Sequence, residues 1–145
     1  MTTFKNKLIH KFSLTPTPFY YYDLELLDQT LESLKKASDK YGYQVHYALK
    51  ANANPTILKQ IRKHGFGADC VSGNEVSRAA ETGFPGESIV FAGVGKSDEE
   101  IKTGLENNIH SFNCESAQEL EVIDQIAGTM QKIAPVALRL NPNVS

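Results

Sequence analysis

The stretch Gln44-Val45-His46-Tyr47-Ala48-Leu49-Lys50 reads as a strand with two unlike faces. Successive strand side chains point to opposite sides, so His46, Ala48 and Lys50 share one face and Val45, Tyr47 and Leu49 the other. Pro135–Asn141 repeats the pattern, with Ala137, Arg139 and Asn141 opposing Val136, Leu138 and Leu140. A strand covered by helices on both sides of an open sheet should be apolar on both faces. One apolar face, and one that turns polar toward the C-terminal end of the strand, fits a (β/α)₈ barrel, whose active site lies at that end.

Outward from these two runs the chain alternates between two periodicities. Phe19–Asp23, Gly67–Ser72, Ser88–Gly93 and His110–Glu115 are further β-rich runs. Between the runs, Leu24, Leu27, Leu31 and Leu34 recur at helical spacing ahead of Gly42, and Ile57, Leu58 and Ile61 share a helical face that ends at Gly65. A third helix is expected over Asn74–Glu81, stopping at Gly83. Ser97 and Glu100 form a capping-box pattern, and Ser116 with Glu119 opens the fifth helix in the same way ahead of Leu120, Ile123 and Ile126. Strands alternating with helices, without hairpin signals, predict an α/β fold with a parallel sheet and right-handed crossovers. An open doubly wound sheet and part of a barrel both have that periodicity; the two-faced strands favour the barrel.

Length limits the barrel. The chain has 145 residues, whereas a closed (β/α)₈ barrel needs roughly 250. The expectation is therefore an incomplete barrel over 24–145, with about five of the eight βα units. A composition of 41% hydrophobic and 22% charged residues is that of an ordinary globular chain. A net charge of -2 makes no electrostatic case for nucleic acid. No apolar run approaches the roughly 18 residues of a membrane span, and Met1–Phe12 has no signal-like core, so the expected location is cytoplasmic. Cys70 and Cys114 lie in strand-like runs and read as buried free thiols rather than a disulfide.

Lys50 carries the chemistry. It ends a strand just before Ala51-Asn52-Ala53-Asn54-Pro55, a turn into the next helix. A lysine there is either a solvated charge or, if it reaches over the barrel mouth and is partly desolvated, an amine nucleophile able to form a Schiff base with an aldehyde. Other signals are weaker. Gly93-Val94-Gly95-Lys96-Ser97 ends like a phosphate loop, but Val90 stands where its first glycine belongs, and a capped helix start explains the segment. His10, His46, His64 and His110 have no metal-type spacing, and no metal is expected. His46 is expected to face the barrel interior, and Tyr20-Tyr21-Tyr22 to pack along an edge.

Tyr47-Ala48-Leu49-Lys50-Ala51-Asn52, followed at matching intervals by Ile57-Leu58, Ile61 and Gly65, resembles the cofactor-attachment segment of the ornithine/diaminopimelate/arginine decarboxylases. These are pyridoxal-phosphate enzymes of the alanine-racemase-like barrel type. Gly67-Ala68-Asp69-Cys70-Val71-Ser72-Gly73-Asn74-Glu75, Phe91-Ala92-Gly93-Val94-Gly95-Lys96-Ser97, Phe112-Asn113-Cys114-Glu115-Ser116 and Leu138-Arg139-Leu140-Asn141-Pro142 are similar to the diaminopimelate branch. The resemblance runs from about Thr17 to Val144.

It implies pyridoxal 5'-phosphate as cofactor and decarboxylation of meso-2,6-diaminopimelate to L-lysine and CO₂. It implies that Lys50 is the catalytic attachment lysine, that Ala48 lies beside the cofactor ring and that Asp69 lies near Lys50. Arg139 would reach inward toward the cofactor, or pair with Asp69 or Glu115. Glu75 would serve mainly its own helix start, where a carboxylate is favoured. The resemblance further implies that 1–23 is a lead-in strand belonging with a second, β-rich domain. The phosphate-holding and substrate-holding residues would lie beyond Ser145, so this chain would be an N-terminal portion, inactive alone and part of a homodimer at full length. Two alternatives stand beside this reading. One is a decarboxylase for ornithine, arginine or carboxynorspermidine; the other is a non-catalytic half-barrel that self-associates through its open sheet edge.

Overall fold

The computed structural model describes residues 2–140 and Pro142. Asn141 and 143–145, into which the sequence reading extends the last strand and its loop, lie outside the described residues. In chain order the elements are α1 (Thr2–Leu14), α2 (Leu24–Asp39), β1 (His46–Ala48), α3 (Pro55–Lys63), β2 (Gly67–Cys70) and α4 (Gly73–Glu81). They continue with β3 (Ile89–Phe91), α5 (Asp98–Glu106), β4 (Ser111–Cys114), α6 (Ala117–Thr129) and β5 (Val136–Leu138). One-turn 3₁₀ segments cover Leu49–Ala51 and Gly86–Ser88.

The five strands form one sheet in the order β1-β2-β3-β4-β5, every neighbouring pair parallel. This order decides between the two architectures. Right-handed crossovers that always step in one direction put every connecting helix on the same face, whereas a doubly wound sheet reverses direction and covers both faces. The chain is thus an incomplete (β/α)₈ barrel.

Strand alternation sorts the side chains as the sequence predicts. Ala68, Cys70, Ile89, Phe91, Phe112 and Cys114 form the helix-facing side and are each at most 1% exposed. They pack with Leu58 and Ile61 of α3, Val76 and Ala79 of α4, Ile101 of α5 and Ile123 of α6 in one core. His46, Ala48, Asp69, Val90, Ser111 and Asn113 alternate with the core set and are only partly buried. They make the concave face. Cys70 and Cys114 are free thiols, both buried.

Local signals set the boundaries of the helices. Asn54 caps α3 with Pro55 at its first position, Ser72 caps α4, and Ser97 and Glu100 close a full capping box on α5. Gly65 and Gly83 take φ of 79° and 90° just past α3 and α4, where the left-handed conformation ends a helix at least cost to glycine. Gly104 serves packing instead: a Cβ there would stand 2.6 Å from Phe112 Cζ, so its absence lets α5 settle onto β4.

Three expectations need correction. Phe19–Asp23 is not a strand in this structure. None of the described strands lies beside it to complete a ladder, and Phe12 instead packs on Phe19 and Tyr21, with ring centroids 5.4 and 5.1 Å apart. The segment before it, read only as lacking a signal-like core, forms α1. The β-runs also overreach: β1 stops at Ala48, where the chain tightens into the 3₁₀ turn. Lys50 therefore does not continue the alternation of His46 and Ala48. A strand period assigns a face only while the backbone remains extended.

Candidate active site

Lys50 sits in the 3₁₀ turn that leaves the C-terminal end of β1, and its residue is exposed. The turn is fastened on both sides. Leu49 is buried to 1% exposure in the core, and Tyr47 donates its hydroxyl to the Asn52 carbonyl at 3.4 Å. Asn52 Oδ1 accepts from the Asn54 amide and Asn54 Oδ1 from the Thr56 amide, each at 2.9 Å, so the chain enters α3 by a fixed route. None of the salt bridges among the described residues involves Lys50. An exposed amine on a fastened turn suits a group that must bond a ligand rather than the protein.

The structure brings Ala48 and Asp69 together as register partners on β1 and β2. Small or short side chains continue along the concave side, with Val90 paired to Asp69 and Ser111 to Val90. Arg139 follows β5 at the other edge of the sheet, four strands along from β1. There Arg139 Nη1 donates to Glu115 Oε1 at 3.2 Å, so of the two acids weighed from the sequence Glu115 is the partner. Ala92, Asn113, Glu115, Ala137, Leu138 and Arg139 line a cleft of about 320 Å³ at this edge.

His46 packs over Gly67, where a Cβ would lie 2.3 Å from the imidazole ring. Burial, with a smaller contribution from His110, lowers its pKa below the ordinary histidine value, while Asp69 opposes the shift. His46 is a packing residue at the foot of β1. Glu75 Oε2 accepts the Val71 amide at 2.8 Å, serving its own helix start as expected. Lys96 is no phosphate ligand: its side chain is 1% exposed and tied to Glu119 and two backbone carbonyls. Tyr20, Tyr21 and Tyr22 remain exposed, with Tyr20 and Tyr22 stacked on each other.

A set of acid contacts between the βα loops was not foreseen. Glu100, beyond its own cap, accepts the Gly73 amide at 2.8 Å and joins α5 to the start of α4. Glu119 accepts the Glu115 amide at 2.6 Å and Lys96 Nζ at 2.9 Å, so its carboxylate is not spent on a reciprocal capping box. The available signal was the recurrence of Ser-x-x-Glu at Ser72, Ser97 and Ser116, at the start of the helix that follows each of three successive strands.

A one-directional parallel half-barrel with an anchored, exposed lysine at its C-terminal rim defines a cofactor-binding α/β barrel domain. The chain belongs to the pyridoxal-dependent decarboxylases, whose pyridoxal-binding domain matches residues 26–145. Diaminopimelate decarboxylase of Bacteroides thetaiotaomicron is 56% identical over 137 residues, covering 94% of this chain and 36% of that protein. The Aquifex aeolicus diaminopimelate decarboxylase is 42% identical over 128 residues, or 88% of this chain and 30% of that protein. The crystal structure of the Helicobacter pylori diaminopimelate decarboxylase complexed with L-lysine superposes with a TM-score of 0.82 at 37% identity, over 94% of this chain and 35% of that one. The chain thus spans about a third of the length of the relatives it matches.

Proposed function

We propose that this chain is the cofactor-bearing part of a diaminopimelate decarboxylase, which converts meso-2,6-diaminopimelate to L-lysine and CO₂. The 56% identity to the Bacteroides enzyme across 94% of the chain carries the reading. Pyridoxal phosphate, when bound, supplies an electron sink for the charge left as CO₂ departs.

The residues present fit that group: an exposed primary amine, in no salt bridge among the described residues, follows the end of β1, whose concave side and that of its neighbours carry short side chains. Lys50 would anchor it covalently through Nζ. Ala48 would leave room beside its ring, and Asp69 would offer a carboxylate next to it. Arg139, held by Glu115, would present a cation from the far rim. Leu49 and the Tyr47–Asn52 hydrogen bond keep the anchor from drifting, which is what an aligned reaction demands of its scaffold.

In this reading residues 1–23 belong with a second domain, the whole protein is a cytoplasmic homodimer, and the 145-residue chain alone is inactive. The direct test offers the full-length protein meso-2,6-diaminopimelate, ornithine and arginine in turn, with Lys50→Ala as the blank. Lysine and CO₂ formed from diaminopimelate with the highest kcat/KM support the proposal. Preference for ornithine or arginine would sink it.

A further inference from the structure

We infer that Lys96 is a positioning residue for Arg139, acting through Glu119 and Glu115. The inference rests on the assignment of Arg139 to the cofactor. Lys96 leaves the β3–α5 loop with its side chain 1% exposed. Its three ammonium donors are all used: Gly93 O at 2.8 Å, Asn113 O at 2.9 Å and Glu119 Oε1 at 2.9 Å. Its Nζ also stands 5.3 Å from the centroid of the Phe91 ring. A buried, fully satisfied ammonium holds its partners in one arrangement, because losing a carbonyl leaves a buried donor unsatisfied and losing Glu119 leaves the charge uncompensated.

Those partners lead to Arg139. The Asn113 carbonyl and the Glu115 amide flank Cys114 at the end of β4, and the Lys96–Glu119 pair grips both, through Lys96 Nζ at the first and Glu119 Oε2 at the second. The point from which the Glu115 side chain departs is therefore fixed. Glu115 is 15% exposed and Arg139 is 65% exposed. An exposed arginine has many rotamers, and a single ion pair at the surface restrains it weakly. What can hold the guanidinium over the cleft is a carboxylate that does not move, and Lys96 together with Glu119 makes Glu115 such a carboxylate.

The test is a double-mutant cycle on the full-length protein, read as the Kd for pyridoxal phosphate in fluorescence titrations of the apoprotein. Lys96→Met keeps the length of the stem and removes the donors. It is expected to weaken binding about tenfold in the wild-type background and less than about twofold beside Arg139→Ala. Equal losses in both backgrounds overturn the proposal, since Lys96 then acts on general stability. Glu119→Gln is the second variant. It retains an acceptor for Lys96 but can turn its amide group toward the Glu115 N–H, and the same non-additivity with Arg139→Ala is expected. Additivity there overturns the proposal even if Lys96→Met folds poorly. An Arg139→Ala Kd equal to that of wild type instead removes Arg139 from the cofactor, and the positioning role falls with that assignment rather than by itself.

Discussion

Ala48 on β1 is the register partner of Asp69 on β2, and only Leu49 separates Ala48 from the exposed Lys50. A one-carbon side chain thus stands beside Asp69, two residues before the lysine. Ala48→Phe is expected to raise the Kd for pyridoxal phosphate at least about tenfold. Stability in urea should change by less than about 1 kcal/mol, because the new ring points to the open side of the sheet. An unchanged Kd would show that no ring sits beside Ala48.

Gly104 on α5 faces the Phe112 ring, with 2.6 Å from an added Cβ to Cζ. Gly104→Ala adds helix propensity of just under 1 kcal/mol but forces the helix off β4, and overpacking of this kind costs about 1–3 kcal/mol. The expected net is a loss of about 0–2 kcal/mol in urea denaturation. A stabilised variant would mean that α5 does not rest on β4 as described.

Glu100 gives the acid limb of stability a defined source. The Ser97 amide, followed by the Gly73 amide, holds its carboxyl below the ordinary glutamate value of 4.5. A pKa depressed on folding contributes stability above the unfolded value, and that contribution is lost as pH falls through the folded value. The stability advantage of wild type over Glu100→Gln should therefore be full near about pH 6 and gone below the folded pKa. An advantage that persists unchanged down to about pH 3 would assign the acid limb to other groups.

Both cysteines should be silent toward thiol reagents in the native protein. Cys70 is 0% exposed, and burial pushes its thiol up to about 12, so no useful fraction is thiolate near neutrality. Burial also raises Cys114. Mass spectrometry after iodoacetamide should find the peptides carrying Cys70 and Cys114 unmodified in buffer and alkylated in denaturant. Rapid native labelling of either would place it at a surface.

The sequence was most informative where local chemistry and burial agree. The Ser97-x-x-Glu100 box, Gly65, Gly83 and the burial of Cys70 and Cys114 as free thiols each express one physical rule, and each holds in the structure. Phe19–Asp23 was misread because aromatic β-propensity reports a fit to a pleated surface and cannot supply the neighbouring strand. α1 was missed although Leu8 and Phe12 stand four residues apart, because Ile9 and Leu14 fall off that face and stay exposed. Within the candidate site, Lys50, Ala48, Asp69 and Arg139 were visible as motif positions. The work of Lys96 and Glu119 was not, since it depends on contacts made across 23 residues of chain that no local spacing encodes.

The central claim is that Lys50 is the cofactor anchor. The most direct measurement adds pyridoxal phosphate to the native protein, fixes the link with borohydride and maps the pyridoxyl-lysine by tandem mass spectrometry. The account predicts one label, on Lys50, which Lys50→Ala abolishes. A label spread over many lysines, or concentrated on another one, would contradict it.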